Sequence, residues 1–289
     1  MDQAEQLRII KANNQTQPLA RVITVTSGKG GVGKSNTAIN LAIQFRKMDK
    51  RVIILDADFG LANIEIMFGT VPKHNLCDLI YQGKNIREII TWGPMEVGFI
   101  SGGSGIAGMF NLSWDYLNYI ITNLKELDSL ADIIIVDTGA GISEAVLEFL
   151  VASGEILLVT TPEPTSITDS YSLLKALYRH PRFRESDTKV KMLANRVEKP
   201  DEGEDLFEKL NTVVTRYLKI PMTYLGSIPQ DVQLSKAVMQ QTPVSLQNPW
   251  AKSSLAYERI ARRLLDKEET GRQPKRGMAG FFSHIVSRL

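Results

Sequence analysis

The 289-residue chain is 43% hydrophobic and carries a formal net charge of +2. That suits a soluble protein of one large or two small domains and gives no electrostatic case for nucleic acid as a partner. No apolar run approaches the roughly 20 residues that span a bilayer, and Met1-Asp2-Gln3-Ala4-Glu5 lacks the basic-then-apolar layout of a signal peptide, so a cytoplasmic location is expected. Cys77 is the only cysteine, which excludes an intramolecular disulfide framework, disfavours a cysteine-bound zinc or iron–sulfur site, and reads as a small buried residue.

In chain order, residues 2–12 read as a short helix with Ala4 and Leu7 on one face, followed by a polar tether over 13–18. From Arg21 onward, short β-branched runs alternate with amphipathic stretches. This pattern predicts an α/β fold, a mainly parallel twisted sheet with helices on both faces. Strands are expected over 22–26, 52–56, 97–100, 133–137, 156–160, 190–194 and 224–228. Helices are expected over 35–48, 114–127, 166–177, 204–217 and 254–265. The division is then 1–20 as helix and tether, 21–266 as the α/β body, and 267–289 as a charged linker with a last apolar segment.

The first strand and first helix enclose Gly28-Lys29-Gly30-Gly31-Val32-Gly33-Lys34-Ser35, the context that separates a true phosphate loop from a chance match. Its glycines let backbone N–H groups turn toward phosphate oxygens, with Asn36 following in the helix start. Lys34 reaches the outer phosphates, and the Ser35 hydroxyl can ligate Mg²⁺. ATP and Mg²⁺ are therefore the expected ligands. Leu55-Asp56-Ala57-Asp58-Phe59-Gly60 closes the second strand, where ligands bind in open parallel sheets. Taken alone, such acids also cap helices. The run 133–136 delivers Asp137 at a strand end, before the glycine-rich Thr138-Gly139-Ala140-Gly141. Asp137 would hold the ion through water, and the loop would follow the γ-phosphate.

The second lysine, Lys29, resembles that of the deviant phosphate loop of the MinD/ParA ATPase family. The resemblance implies a homodimer that sandwiches ATP, with Lys29 reaching the partner's nucleotide as an arginine finger does. It further implies that Asp58 positions the attacking water and that Asp56 supports the Mg²⁺ water shell. Asn195 and Arg196 would then read adenine, with Pro229, Gln230 and Asp231 around the base and Glu163 near the dimer's nucleotide. An Asn or Pro at a strand end is otherwise an ordinary turn residue.

The last segment places Phe281, Phe282, Ile285, Val286 and Leu289 on one helical stripe near Lys275, Arg276 and Arg288. Such a stripe suits an anionic membrane and resembles the family's membrane-targeting tail; the alternative is a terminal helix packed on the domain. Burying five such side chains yields at most about 10 kcal/mol, before the costs of ordering and lost motion. One tail therefore binds weakly and two linked tails bind well, so nucleotide state can set peripheral residence on the inner face of the cell membrane, including the poles.

Asp2-Gln3-Ala4-Glu5-Gln6-Leu7-Arg8 resembles the opening helix of the FlhG (YlxH, FleN) subgroup of MinD-like proteins. In that subgroup the helix contacts and stimulates FlhF, a GTPase of the signal-recognition-particle type, and flagellar switch (C-ring) proteins are cargo. Asp2, Gln3 and Arg8 would be the polar contacts. MinD itself lacks this helix, and the apolar tail points away from a ParA-type DNA-partition ATPase. No separate small-molecule constellation supports an amide-forming or biotin-pathway enzyme, and the single Cys77 disfavours an iron–sulfur carrier.

Overall fold

The computed structural model describes residues 19–58, 63–102, 122–266 and 277–286. The expected opening helix with Asp2, Gln3, Ala4, Leu7 and Arg8, the residues Phe59 and Gly60, most of the helix expected over 114–127, the linker and Leu289 lie outside the described residues. Strand β1 (Arg21–Ser27) leads into α1 (Lys34–Lys47) and β2 (Val52–Ala57). Then come α2 (Asn63–Phe68), α3 (Leu76–Gln82), α4 (Ile86–Ile89), β3 (Thr91–Trp92) and β4 (Gly98–Ile100). Residues 122–125 are helical, followed by α5 (Leu127–Leu130), β5 (Ile133–Ala140), α6 (Glu144–Ala152) and β6 (Glu155–Thr160). Next are α7 (Pro164–Arg179), β7 (Lys189–Val197), α8 (Glu202–Leu218) and β8 (Met222–Pro229). The chain finishes with α9 (Val232–Met239), α10 (Val244–Gln247), α11 (Lys252–Asp266) and α12 (Gly277–Val286).

One eight-stranded sheet results, in the order β3-β4-β2-β5-β1-β6-β7-β8. Every pairing is parallel except β3 with β4. All seven expected strands form, several longer at their ends, while Val97 falls just before β4. The period-two alternation of side chains sorts the core. Ile54, Ile135 and Leu157 face one side, against Ile39 and Phe45 of α1 and Tyr257 and Ile260 of α11. Ile53, Leu55, Ile134 and Val136 face the other, against α3, α4 and α6. Ile156, Leu158 and Met192 share that second side with α7 and α8. Both faces are covered, so the strands read as continuous apolar runs.

At the base of the sheet, Arg21 donates twice to Glu155 at 2.8 Å, Lys191 donates to the same carboxylate at 2.5 Å, and a third Arg21 nitrogen reaches the Leu264 carbonyl at 2.8 Å. That network ties the last long helix to β1 and β6. Cys77, expected to be buried, is half-buried.

The last helix, α12, packs on the domain. Met278, Phe281, Phe282 and Ile285, at 4% exposure or less, join the core on the β2–β5 side. Phe149 of α6 stacks on Phe281 at 6.0 Å between ring centroids and meets Phe282 edge-on at 6.4 Å. Phe281, Phe282 and Ile285 thus lie in a groove of the domain, the packed arrangement named above as the alternative to a lipid-facing tail, and the groove removes that apolar stripe from water. Val286 ends the helix. Among the described residues no helix is long and apolar enough to cross a membrane.

Candidate functional site

The carboxyl ends of β1, β2, β5 and β7 converge on the loop from Gly28 to Ser35. Parallel strands all point their ends the same way, which gathers residues far apart in sequence. Gly31 has φ +77° and Gly33, the residue before α1, φ +94°, a left-handed backbone that suits glycine. A Cβ on Gly28 would lie 2.2–2.4 Å from the backbone of Asp169 and Ser170, and one on Gly33 2.3 Å from Asn195 Nδ2. Nothing of the protein lies within 4 Å of a Cβ built on Gly30 or Gly31, which leaves that face of the loop open for close backbone approach by a ligand. Asn36, by contrast, gives its carbonyl to Asn40 Nδ2 at 2.9 Å, and Thr37 Oγ1 donates to Gly33 O at 2.9 Å.

Three carboxylates face this loop. Asp56 and Asp137 are neighbours in register across β2 and β5, buried at 2% and 0% exposure. Lys34 Nζ donates to Asp137 Oδ1 at 2.7 Å and lies 3.4 Å from Ser35 Oγ. Asp56 Oδ1 accepts the Asp58 backbone N–H at 3.1 Å, and Asp58 Oδ2 accepts from Asn63 Nδ2 at 3.4 Å. Asp58 Oδ1 is 3.6 Å from the Cβ position of Gly139, so the acid and the glycine-rich loop are in contact. Burial, reinforced by the charge of Asp137, pushes the Asp56 carboxyl up to about 8. Burial likewise raises Asp137, against the opposing pull of Lys34.

The outer oxygens of Asp56 and Asp137 are buried without a hydrogen-bond partner. With both in-register acids ionised, the one lysine would leave a local deficit of positive charge, which a divalent cation would satisfy. No group of three or more His, Cys, Asp or Glu residues forms a metal cage among the described residues. Mg²⁺ is usually held by one or two carboxylates together with substrate phosphates. Ser35, Asp56 and Asp137 are the residues that would hold it.

The loop after β5 is tied to the phosphate loop: Gly141 N donates to Ser27 O at 2.9 Å, and Thr138 Oγ1 lies 3.1 Å from Thr26 Oγ1. Lys29 points away from the cradle it belongs to. Its Nζ donates to Glu163 Oε2 and Thr165 Oγ1, both at 2.8 Å, and this bond draws the Glu163 carboxyl below its ordinary value. Sequence reasoning missed Thr165, which stands two residues after Glu163 in the first turn of α7.

The residues expected around the base divide into two groups. Asn195, 2% exposed, donates Nδ2 to Val32 O at 2.7 Å, while its Oδ1 is buried without a partner. Arg196, exposed with φ +60°, follows it. Gln230 is exposed beside Pro229, its backbone N–H given to Val197 O at 2.9 Å. Asp231 is otherwise engaged: it caps α9 through Gln233 N at 2.9 Å and accepts from Ser253 N and Oγ at 3.0 and 2.8 Å. Its carboxylate thus joins α9 to α11.

The family of the CobQ/CobB/MinD/ParA nucleotide binding domain matches residues 23–244. The chain is 40% identical over 244 residues to the antiactivator FleN of Pseudomonas aeruginosa, covering 84% of this chain and 86% of that protein. It is 34% identical over 273 residues to the flagellum site-determining protein YlxH of Helicobacter pylori, covering 93% and 90%. Among solved structures, the septum site-determining protein MinD of Pyrococcus horikoshii, complexed with Mg-ADP, superposes with a TM-score of 0.66 at 21% identity, covering 85% of this chain and 96% of that one.

Proposed function

Because the chain belongs to the CobQ/CobB/MinD/ParA nucleotide-binding family, we propose that it is an Mg²⁺-dependent ATPase that regulates flagellar number or placement through an ATP-bound homodimer. The observation that carries this reading is the phosphate loop whose two lysines have different partners. Lys34 sits in its own cradle with Asp137, and Lys29 sits outside it on Glu163. A cation directed away from its own phosphates is placed to serve a second copy, where it offsets charge developing on the transferred phosphoryl group. Bound Mg²⁺ spreads phosphate charge. The chain's own residues cradle the phosphates (Gly28–Ser35), position water (Asp58) and sense the terminal phosphate (the loop at Gly139 and Gly141).

The flagellar assignment is supported by the likeness to FleN and YlxH. On this reading the Asp2–Arg8 segment stimulates an FlhF-type GTPase, and flagellar switch proteins are the cargo. The protein is cytoplasmic, with the apolar stripe of α12 its means of peripheral attachment to the inner face of the membrane. The buried state of Phe281, Phe282 and Ile285 corresponds to the detached form, so attachment requires α12 to leave its groove. Hydrolysis of ATP by the purified chain, dependent on Mg²⁺ and lost in Asp58→Ala with binding retained, tests the core of the proposal. Absence of turnover at concentrations that support dimerisation overturns it. A peptide of residues 1–20 should accelerate GTP hydrolysis by an FlhF-type GTPase; no effect removes the GTPase-activating role.

A further inference from the structure

Among the described residues, the C-terminal helix makes a polar contact that its apolar stripe does not require. Asp128, the second residue of α5 and 6% exposed, accepts the Met278 backbone N–H at 2.8 Å across 150 residues of sequence. The first N–H groups of any helix lack intrahelical acceptors, and a side chain immediately ahead of the helix ordinarily supplies one. Gly277 opens α12 with a φ of +56°, outside the helical region, and has no side chain to offer. A Cβ at Gly277 would lie 2.6 Å from Asp128 Oδ2 and 2.9 Å from Oδ1. The glycine thus clears room at the start of the helix for an acid from the domain. The negative charge of that acid also complements the positive end of the helix.

We propose that Asp128 is a latch for α12: the domain supplies a capping acceptor at the start of the helix, so the segment is most stable as a helix when it is docked. A ten-residue helix has little stability by itself in water. Removing the cap when α12 leaves the groove makes departure cooperative, with the helix and its docking lost together. The inference rests on the proposed membrane role for its consequence, the threshold at which the tail is released, but the latch itself is a property of the free protein.

The test uses the full-length, nucleotide-free chain and follows hydrogen exchange of the amides in 277–286. Asp128→Ala should lower their protection about fivefold or more, the size of a lost cap, with β5 amides unchanged. Asp128→Asn, which keeps a good capping oxygen, should stay within about twofold of the parent. Unchanged protection in Asp128→Ala overturns the latch. Gly277→Ala supplies a second route should the first variant fold poorly: its effect should be large with Asp128 present and reduced in the Asp128→Ala background, and strictly additive effects overturn the latch equally. Sedimentation with phosphatidylglycerol–phosphatidylethanolamine vesicles in the absence of nucleotide separates the two claims. Increased vesicle binding by Asp128→Ala supports both, whereas lost protection with no gain in vesicle binding sustains the latch and removes the membrane role.

Discussion

Mixing two inactive variants should restore hydrolysis, and the amount restored follows from where Lys29 points. Its side chain is 37% exposed and rests on that of Glu163, which is 52% exposed, so water screens the pair and it adds little to stability. Lys29→Ala should therefore unfold within about 0.5 kcal/mol of the parent, yet lose about 10³-fold or more in turnover if the lysine acts as a finger in trans. Asp58→Ala loses turnover for a different reason, at the same nucleotide as its own phosphate loop. In an equimolar mixture, half of the dimers pair one variant with the other. In each of these, the site with intact Asp58 receives Lys29 from its partner, and the second site has neither. One quarter of all sites is then complete, so about one quarter of parental activity should return. The assay is steady-state phosphate release against mixing ratio, with a maximum at equal amounts. If Lys29 served its own nucleotide, no site in any mixed dimer would be complete, and a mixture as inactive as its components would refute the reasoning.

Two loop glycines that look alike in sequence should behave differently. Gly28→Ala drives a methyl into the Asp169–Ser170 backbone and should lower stability by about 1–3 kcal/mol in chemical denaturation. Gly30→Ala meets nothing of the protein and should unfold within about 0.5 kcal/mol of the parent, its cost confined to ATP affinity measured by titration. At the base of the sheet, burial opposes ionisation of Glu155, but Arg21 and then Lys191 overcome it and hold its pKa below 4.5. The stability this gives is complete above pH 4.5 and is lost as pH falls through the depressed value. Glu155→Gln leaves Arg21 facing Lys191 and should cost about 3–5 kcal/mol at pH 7, with the gap from the parent narrowing below pH 4.5. A gap independent of pH would show that packing of Glu155, and not its charge, matters.

The sheet was legible because strands buried on both faces leave unbroken apolar runs, and the phosphate loop because its chemistry is local. What escaped has physical causes. In α6, Glu144–Ala152 is apolar nearly all round, so no 3.6-residue stripe marks it as a helix. Helices α3 and α4 are short, but each carries a capping box, Asn75 with Asp78 and Asn85 with Glu88, a signal available at fixed spacing. Strand β3 has two residues, too few for any period. The pairs Lys29–Glu163, Asn195–Val32 and Asp231–Ser253 join residues 134, 163 and 22 positions apart, which no reading of neighbours predicts. The stripe of α12 was visible, but its covering was not: hydrocarbon and a protein groove ask for the same polarity pattern.

They do not ask for the same shape. A bilayer is a fluid that accommodates any apolar outline, whereas the bed of α12 is a solid whose Phe149 ring fits Phe281 and Phe282 in particular orientations. Under the proposed membrane role, exchanging phenylalanine for leucine at 281 would thus leave the attraction to lipid nearly constant while loosening the domain's hold. On that proposal, variation at these few positions tunes how readily the tail departs without altering where it goes.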